Sequence, residues 1–506
     1  MIAATAAGVA AMQYCEVAEL RPPSDTFLAK FVIVALSLIL LFLWFVFLGP
    51  ATRSLRAQVG IVALVIAAAV VGMVRIESVS GNIWPKLRFR WTPHTDETLP
   101  KVAAETTAAE TVNLTETTPE DYPQFLGPGR LATLENIQLA RDWAAEPPRR
   151  LWRQPIGAGW SSFAVVGHYG VTQEQRGDEE LITCYDIDNG KLQWAQATPV
   201  RFSATLAGIG PRATPTIHEG KVYAMGALGH LHCLDGATGN VIWMQRVIEE
   251  KDVPQWGKSG SPLVYENKVI ASAGGPDSKA LVAYDKQSGH ILWSAGIDAS
   301  SYSSPTIFNL AGQPQIVIVN ARVVTSHDPS DGHILWKNAW PDSQTASPNV
   351  AQPISVGQDR ILLTKGYGIG SALWQIERGA EGWSVNQIWR NKNLKTKFTN
   401  AVIRDGFAFG LDEGILSCIE IASGKRKWKE GRYDHGQVLL VGELLLVQSE
   451  KGDVALVEAT PDAYRELTRF SAVSGQSWNC PALSGRKLLV RSEEEAACYE
   501  LPLASP

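Results

Sequence analysis

The stretch Asp186–Trp194 (DIDNGKLQW) decides the fold, because its pattern, Asp-x3-Gly-x3-Trp, returns along the chain. The pattern is typical of a β-hairpin in which Asp starts a turn, Gly takes a positive φ, and the next strand carries Trp inward. Further copies begin at Asp235, Asp285 and Asp328, and Glu420 begins a degenerate copy that ends at Trp428. A repeated hairpin therefore organises the second half of the chain.

The spacing of the copies sets the size of the repeat. Successive acidic positions lie 49, 50, 43 and 92 residues apart, and 92 is two steps of 46, so one copy has decayed around Trp374 to Trp389. Another strand pair precedes the hairpins, as Thr214–Tyr223 and Ser261–Ile270 indicate. Four antiparallel strands in about 46 residues form one blade of a β-propeller, which buries both faces only against neighbouring blades.

The repeats predict eight blades, with seven as the alternative. The eighth repeat begins at Asn479 and runs out at Glu500–Leu501 without a fourth strand, and Leu151–Pro155 at the front of the domain supplies one. Closing the ring in this way removes the open sheet edges. The expected blade ends are Trp194, Trp243, Trp293, Trp336, a position near Trp389, Trp428, and a weak seventh end near Phe470.

Four cysteines occupy one equivalent position in separate blades. Each lies two residues before the acidic position, and Ala283 and Ser326 fill the same position elsewhere, so the position favours a small side chain. We interpret these thiols as core residues rather than disulfide partners or metal ligands. They are Cys184, Cys233, Cys418 and Cys498.

The N-terminal part predicts a transmembrane helical hairpin. Phe31–Leu48 is 18 residues without a charge, and Ala57–Val74 is a second such run. Eighteen helical residues cover about 27 Å of a hydrocarbon layer of roughly 30 Å. A signal peptide is the alternative, but the apolar run is too long and no small-residue cleavage site follows Leu48. The Lys and Arg residues flanking the spans do not decide the topology.

The domain boundaries follow from these patterns. Residues 1–30 form an N-terminal segment and 31–75 the two spans. Residues 76–120 form a juxtamembrane segment with a Thr/Glu/Ala-rich tether over 98–120, which has too few large apolar residues to order itself. An irregular edge of the next domain is the alternative for that tether. The propeller occupies 121–506.

Composition excludes several classes of protein. The chain has 506 residues, 46 basic and 51 acidic side chains and a net charge of −5, so it lacks the basic excess of a nucleic-acid binder. A hydrophobic content of 45% excludes a largely disordered chain, and six cysteines exclude a disulfide scaffold.

The Asp-x3-Gly-x3-Trp copies, the Ser/Thr-Pro strand starts and the opening Asp121–Pro128 (DYPQFLGP) resemble bacterial PQQ-like (pyrroloquinoline-quinone-type) propeller-repeat proteins. The resemblance covers residues 121–501. It implies an all-β propeller and a place in the quinoprotein alcohol dehydrogenase-like superfamily. That superfamily also contains outer-membrane-assembly scaffold lipoproteins and membrane-tethered proteins of unknown role. The order of spans, tether and propeller is similar to the last group, which implies a propeller in the periplasm on the cytoplasmic membrane.

The resemblance also allows each activity to be checked against this sequence. A quinoprotein dehydrogenase of the family uses adjacent bonded cysteines, oxygen ligands for Ca²⁺, an Asp base and a stacking aromatic beside the quinone. No two cysteines are adjacent here, and no C-x-x-C-H haem site is present. The scaffold lipoproteins carry a lipid on a Cys after a short signal, whereas Cys15 lacks the small apolar residues of such a site.

The loops between blades, and those joining second to third strands, gather on one face around the axial channel, where propellers bind ligands. The cationic side chains there could bind an anionic group of a ligand, and the aromatic side chains could stack on a ring of a ligand. The alternative is that the charged loop residues are solvated and pair with each other. His230 and His232 share a strand face but have no third ligand, so we expect no metal. The predicted ligand-binding residues are Glu174, Arg176, Asp178, Arg212, Trp256, Lys258, Tyr302 and Lys365.

These observations favour a binding module over an enzyme. We expect a membrane-tethered scaffold, with no cofactor, that binds a protein or a cell-envelope polymer through the loop face and does not bind nucleic acid. The alternative is a PQQ-dependent alcohol dehydrogenase of the polyvinyl-alcohol type, which would use PQQ and Ca²⁺.

Overall fold

Two compact units make up the computed structural model, which describes residues 2–101, 112–275, 279–341 and 348–504. The first unit comprises Met1–His94 with Ala204–Gly208, and the second comprises Thr95–Ser203 with Ile209–Pro506.

The first unit is helical, and it confirms the two predicted apolar helices. Helices α2 (Pro23–Leu48) and α3 (Arg53–Met73) are long and apolar enough to span a membrane. Thr52 caps α3 by accepting the Leu55 N–H at 3.4 Å. A further helix, α1 (Ile2–Val17), packs along α2. Strands β1 (Val74–Val79) and β2 (Pro85–Phe89) follow α3 as a hairpin.

The second unit confirms the eight-bladed propeller. It begins with a short helix, α4 (Thr95–Thr98), and each blade is an antiparallel sheet whose first strand is innermost. Between blades lie the small hairpin Ser203–Ala204 with Gly208–Ile209 and a 3₁₀ turn at Glu250–Asp252. The blade strands are, for blade 1, Ala164–Val166, Tyr169–Arg176, Glu179–Asp186 and Leu192–Thr198; blade 2, Thr216–His218, Lys221–Met225, His230–Asp235 and Val241–Arg246; blade 3, Leu263–Tyr265, Lys268–Ser272, Leu281–Asp285 and Ile291–Ala295; blade 4, Thr306–Leu310, Gln313–Val319, Val323–His327 and Ile334–Ala339; blade 5, Ile354–Val356, Arg360–Lys365, Gly370–Gly379 and Gly382–Asn391; blade 6, Val402–Arg404, Phe407–Asp412, Ile415–Glu420 and Arg426–Arg432; blade 7, Gln437–Val441, Leu444–Gln448, Asp453–Glu458 and Glu466–Ser471; blade 8, Ala482–Ser484, Lys487–Arg491, Glu495–Glu500 and Arg149–Pro155.

The predicted ring closure is also confirmed. Arg149–Pro155 pairs antiparallel with Glu495–Glu500, and Trp152 lies opposite Cys498 in the register. The first strand of blade 8 then contacts the first strand of blade 1. Blade 7, whose completeness the sequence left open, has all four strands and gains Thr133–Leu134 as a parallel fifth.

In six of the eight blades the repeated tryptophan joins the blade to the next one. The indole N–H of Trp194 in blade 1 donates to the Gly236 carbonyl of blade 2 at 2.9 Å. Its ring lies against Gly239, where an added Cβ would be 2.6 Å from the indole. Gly289, Gly332 and Gly424 lie in the same way against the Trp of the preceding blade. The motif therefore encodes docking between blades as well as a turn. Equivalent indole donors are Trp152, Trp243, Trp293, Trp389 and Trp428.

A β-bulge beside the small-residue position explains the cysteines. Cys184 lies directly opposite Trp194, and the register shifts at the next residue. All eight blades have this shift between their third and fourth strands. The four buried cysteines therefore pack across from an indole or its equivalent, as the core interpretation predicts.

Part of the predicted tether lies against the propeller. Residues 102–111 are outside the described residues, so the tether remains a prediction there. Val112 and Leu114 are buried in the cluster that joins blades 1 and 2, and the Gly220 N–H donates to the Leu114 carbonyl at 3.1 Å. Residues 112–114 thus correspond to the alternative, an edge of the propeller domain, because two apolar side chains suffice to hold them.

We predict that Gly239→Ala destabilises the chain more than Gly312→Ala. Both glycines have a positive φ, 76° and 79°, but only a Cβ at Gly239 would meet an indole. The added loss in the free energy of unfolding should be about 1–3 kcal/mol, the usual range for overpacking. Urea unfolding of the detergent-solubilised chain measures it, and equal losses in the two variants would contradict the docking role.

Candidate functional site

A belt of hydrogen bonds surrounds the axial channel near the face predicted to bind ligands. The backbone N–H of Ser162, just before the first strand of blade 1, donates to Oγ1 of Thr214 at 3.2 Å. The same donor and acceptor positions recur from blade to blade, at Thr214 to Ser261 (2.9 Å), Ser261 to Ser304 (2.9 Å), Ser304 to Gln352 (2.9 Å) and Gln352 to Asn400 (2.7 Å).

Two further residues complete the belt. Gln437 Nε2 donates to the carbonyl of Phe398 at 2.9 Å, and Gln437 Oε1 accepts from Cys480 Sγ at 3.4 Å. The hydroxyl of Ser162 donates to the Cys480 carbonyl, which returns the belt to its first residue. The belt fixes the backbone of the eight loops that enter the inner strands, because each loop is tied to its neighbour.

The residue two positions before each belt residue forms a second ring, which we name the collar. Side chains at i and i+2 of an extended chain share a side, so the belt residues identify the eight equivalent collar positions. These are Trp160, Arg212, Ser259, Tyr302, Val350, Phe398, His435 and Trp478. Five of the eight carry an aromatic ring.

The aromatic collar residues from blades 6, 7, 8 and 1 contact each other at the mouth of the channel. The ring centroids of Trp160 and Trp478 are 4.7 Å apart, and those of Phe398 and Trp478 are 4.9 Å apart. Phe398 and Trp478 precede blades 6 and 8, which are not neighbours in the ring. Side chains of non-neighbouring blades meet only over the axis, so these rings lie at the mouth of the channel. His435 meets the edge of Phe398 at 5.5 Å.

A cationic side chain adjoins these rings, and a second aromatic pair lies farther along the collar. Lys397 Nζ lies 5.1 Å from the ring centroid of Tyr367 and 5.3 Å from that of Phe398. Trp256 stacks on Tyr302 at 5.3 Å, and the Tyr302 hydroxyl accepts the Trp256 N–H at 3.2 Å. The mouth thus combines flat apolar surfaces with positive charge.

The acidic groups around the mouth have structural partners. Glu450 accepts the indole N–H of Trp478 at 3.0 Å and the backbone N–H of His435 at 3.2 Å, so it orients two collar residues. Asp412 is fully buried and pairs with three cations, at 2.8 to 3.1 Å, which are Lys395, Arg426 and Lys429. Burial holds the pKa of His435 well below its usual value, so the ring in the collar is neutral.

A segment ahead of the propeller crosses the ring of blades. Residues 121–140, which we name the lead segment, begin at Asp121, whose carboxylate accepts the Gly167 N–H in the first turn of blade 1 at 2.9 Å. Buried Arg130 donates to the carbonyls of Ser261 and Pro262, at 3.1 and 3.0 Å, and so reaches the belt. The lead segment thus runs across the ring from blade 1 past blade 3 to blade 7, where Thr133–Leu134 pairs with the first strand.

A second concavity lies on the side of the lead segment. It has a volume of about 420 Å³, and its lining comes from residues 119–137 and the inner strands of blades 5 and 6. Leu131, Leu134 and Ile354 make its wall largely apolar. It lacks the aromatic and cationic groups of the collar.

The structure brings only some of the predicted site residues together. Trp256 and Tyr302 stack, and Arg212 shares the collar with Tyr302. Arg212 Nη1 donates to the Gly210 carbonyl at 2.6 Å, and the guanidinium lies 4.7 Å from the Phe202 ring centroid. These residues form one side of the mouth.

Other predicted site residues bind each other or are buried. Arg176 pairs with buried Glu174 at 3.1 Å, and the Tyr185 hydroxyl donates to Glu174 at 2.6 Å. Burial opposes ionisation of Glu174, but Arg176 and Tyr185 lower its pKa overall. This pair agrees with the alternative prediction, in which the charged loop residues pair with each other. Asp178 is exposed at the hairpin tip, whereas Lys365 is buried and burial lowers its pKa to about 8.

Most of the collar was missed from the sequence. Trp160, Phe398, His435 and Trp478 were not among the predicted residues. The signal that identifies them is their position two residues before the belt residues, of which Thr214 and Ser261, each followed by Pro, are the clearest in the sequence. That signal becomes visible only when all eight strand starts are aligned, and several of them lack Ser, Thr or Pro.

The described residues do not assemble the site that a calcium-assisted quinone requires. The collar rings and cations suit a flat, negatively charged quinone. However, within residues 2–101, 112–275, 279–341 and 348–504, no three His, Cys, Asp or Glu side chains cluster to hold a metal ion. The buried carboxylates Glu174 and Asp412 already bind cations of the chain. In these ranges, therefore, no cluster of carboxylates is available to Ca²⁺, and no two cysteines are adjacent in the sequence.

We predict that Lys258→Met stabilises the chain at neutral pH and that the gain shrinks in alkali. Lys258 is buried, and burial lowers its pKa from 10.5 to about 7. The unfolded chain keeps this proton up to about pH 10.5, so the stability of the wild type rises with pH between these values. The variant lacks that rise, and its advantage is largest at pH 7 and below.

Chemical denaturation at pH 7 and pH 9.5 measures this difference in the free energy of unfolding. We expect a gain of about 1 kcal/mol or more at pH 7, since a buried charge is replaced by an apolar group. Lys251→Met is the matched control, because Lys251 is exposed. An equal pH dependence in both variants would contradict the assignment.

Comparison with known proteins agrees with the propeller. A profile of the family described as outer membrane protein assembly factor BamB matches residues 143–306 and 229–462. Among proteins with curated descriptions, none matches this sequence. The solved structure of BamB from Moraxella catarrhalis is 13% identical, with a TM-score of 0.51, and the match covers 70% of this chain and all of that one.

Two quinohemoprotein alcohol dehydrogenases share the same fold. The enzyme from Comamonas testosteroni is 13% identical, with a TM-score of 0.57 and coverage of 78% of this chain and 82% of that one. The ADHIIG enzyme from Pseudomonas putida HK5 is 12% identical, with a TM-score of 0.55 and coverage of 80% and 84%. These likenesses extend to the fold alone, whereas the profile match covers more than half of the sequence. The chain belongs to the PQQ-like propeller family described as outer membrane protein assembly factor BamB.

Proposed function

We propose that this protein is a membrane-tethered, extracytoplasmic scaffold that binds a protein or a cell-envelope polymer at the collar. The observation that carries the proposal is the contact between Phe398 and Trp478 over the axis, with Trp160 and His435 beside them. Phe398 and Trp478 are partly exposed, whereas Trp160 and His435 are buried beside them. Partly exposed aromatic rings that buried neighbours and a rigid ring of blades hold in place offer contact area at little entropic cost. This combination is typical of a recognition surface.

The chemistry of the collar indicates what it binds. Rings stack on peptide side chains or on the apolar faces of sugars, while Arg212 and Lys397 attract a negative group. The lead segment runs across the ring, so a ligand enters the mouth by a loop or an end and does not thread through. A loop of a partner protein or the end of an envelope polymer has that shape.

The proposed place is the periplasmic face of the cytoplasmic membrane. The two apolar helices support anchoring, and two spans would place the propeller on the same side as residue 1. The family description, an outer membrane protein assembly factor, supports an extracytoplasmic site and a protein partner. We further propose that the anchoring membrane is the inner one rather than the outer one. The reason is that apolar spanning helices take the place of a lipid anchor here.

We predict that a photo-crosslinking residue at Phe398 forms adducts with a partner in intact cells. The same residue at Ile291, which is 59% exposed on the outer strand of blade 3, should form none. Adding Trp160→Ala and Trp478→Ala should lower the Phe398 adduct by about tenfold, since two stacking rings are worth roughly 1–3 kcal/mol together.

Two checks accompany this experiment. Thermal unfolding of the double variant must match the wild type, and Trp160→Phe should restore part of the adduct. Equal adducts from Phe398 and Ile291, or no loss on removal of both indoles from a folded chain, would refute the collar as the binding site.

A quinone-dependent dehydrogenase is the second candidate, since flat rings and cations at one mouth also suit PQQ. We propose that the chain needs no cofactor, since two buried carboxylates near the channel, Glu174 and Asp412, already pair with cations of the chain. We predict no dye reduction with alcohols, and no quinone absorbance retained on gel filtration, after incubation with PQQ and Ca²⁺. Alcohol-dependent dye reduction that Trp478→Ala abolishes would instead establish the enzyme.

A further inference from the structure

The hairpin of β1 and β2 begins directly where α3 ends. Met73 is the last residue of α3 and Val74 the first of β1, so no loop separates them. Arg90, just after β2, returns to the helix end, where its backbone N–H donates to the Met73 carbonyl at 2.8 Å and its Nε to the Val71 carbonyl at 3.2 Å. Both ends of the hairpin are thus fixed to the end of an apolar helix.

The apolar side of this hairpin faces outward. Ile76 lies opposite Leu87, and the two side chains are 54% and 62% exposed. Phe89 is 51% exposed on the same side. A two-stranded hairpin is only marginally stable in water unless another surface covers its apolar face. Exposed apolar side chains grouped in this way therefore indicate an interaction surface.

The polar side of the hairpin is turned the other way. Glu77 is largely buried and pairs with Arg88 at 3.0 Å and with His94 at 3.2 Å. The alternation along β2 is therefore reversed relative to a soluble sheet, with charges covered and apolar groups exposed. Over residues 74–94, four cations and one carboxylate leave a net charge of +3.

Two tryptophans mark the level of this hairpin relative to the helices. Trp84, in the hairpin turn, is 60% exposed, and its ring lies 4.0 Å from that of Phe27 near the start of α2. Trp91 is 66% exposed and stacks on Phe89 at 4.8 Å. Because α2 and α3 are joined by a short turn, the start of α2 and the end of α3 belong to the same membrane surface. Trp and Tyr are enriched at that depth in membrane proteins.

We propose that the hairpin is an interfacial element that lies in the headgroup region of the bilayer. Its occupant is the lipid surface, with Ile76, Leu87 and Phe89 against the acyl chains and Trp84 and Trp91 at the headgroup level. The excess of cations suits the lipid phosphates. Two observations support the lipid surface as the occupant. The hairpin continues directly from the last residue of the apolar helix α3, and its net positive charge is complementary to the lipid phosphates. The proposal rests on membrane anchoring by α2 and α3.

Quenching of tryptophan fluorescence by lipids that are brominated in the upper acyl chain tests the proposal on the full chain in nanodiscs. Of the 17 tryptophans, three lie in the first unit, at positions 44, 84 and 91. Trp84→Phe with Trp91→Phe should remove about two-thirds of the quenchable signal, since both indoles are placed at the interface. Phe retains a ring beside Phe27 and Phe89, so the variant keeps these contacts.

Two single variants make the result specific. Trp44→Phe, near the end of α2 that lies away from the hairpin, reports insertion of the helix and should remove about one-third of the signal. Trp383→Phe, in the outer strand of blade 5, should remove none. Loss with Trp44→Phe but not with the double variant would overturn the interfacial hairpin while anchoring stands. No loss with either variant would overturn the anchoring as well.

Discussion

Every blade of this propeller must bury a sheet face against its neighbour, and at five of the eight junctions the contact that does so is an indole packed over a glycine. Trp194 fills the space above Gly239, and its N–H bonds to the Gly236 carbonyl of the next blade. A side chain on that glycine would meet the ring. The same residues that form a tight turn therefore also set the spacing and angle between blades. Once that contact repeats, the ring must close, because an unpaired terminal blade would leave an apolar face and a strand edge in water.

Closure has a consequence for function, because it brings eight loops to a common axis. The hydrogen-bond belt fixes these loops, so the collar side chains are free to vary without altering the fold. The eight equivalent positions hold aromatic residues such as Trp160 and Phe398, but also Arg212, Ser259 and Val350. The lead segment reaches the belt through Arg130. Rigid support beneath a variable surface is what a recognition module requires.

The sequence predicted the fold well because the blade motif is local. Asp, Gly and Trp lie within nine residues, so each copy is visible alone. Blade 7 was weaker because the residue opposite its small-residue position is Thr468 in place of Trp. Blade 4 also departs from the rule, since Trp336 donates to Gln315 of its own blade at 2.7 Å. The collar was largely missed because its members are related by position in the ring and not by residue type. Residues 98–120 were predicted to be a tether from their average composition, which does not reveal the effect of single apolar residues. Val112 and Leu114 are buried against the propeller and hold their segment there.

A disulfide across the closing strand tests the central claim, a closed eight-bladed ring, most directly. Arg149 and Glu500 are paired neighbours in the register and both are accessible. Adjacent strand positions are near enough for a disulfide with small adjustment. Oxidation of the Arg149→Cys, Glu500→Cys chain should give an intramolecular bond, seen as faster migration on a non-reducing gel that neither single variant shows. Retention of both introduced thiols as free thiols in a folded chain would contradict closure by the first strand.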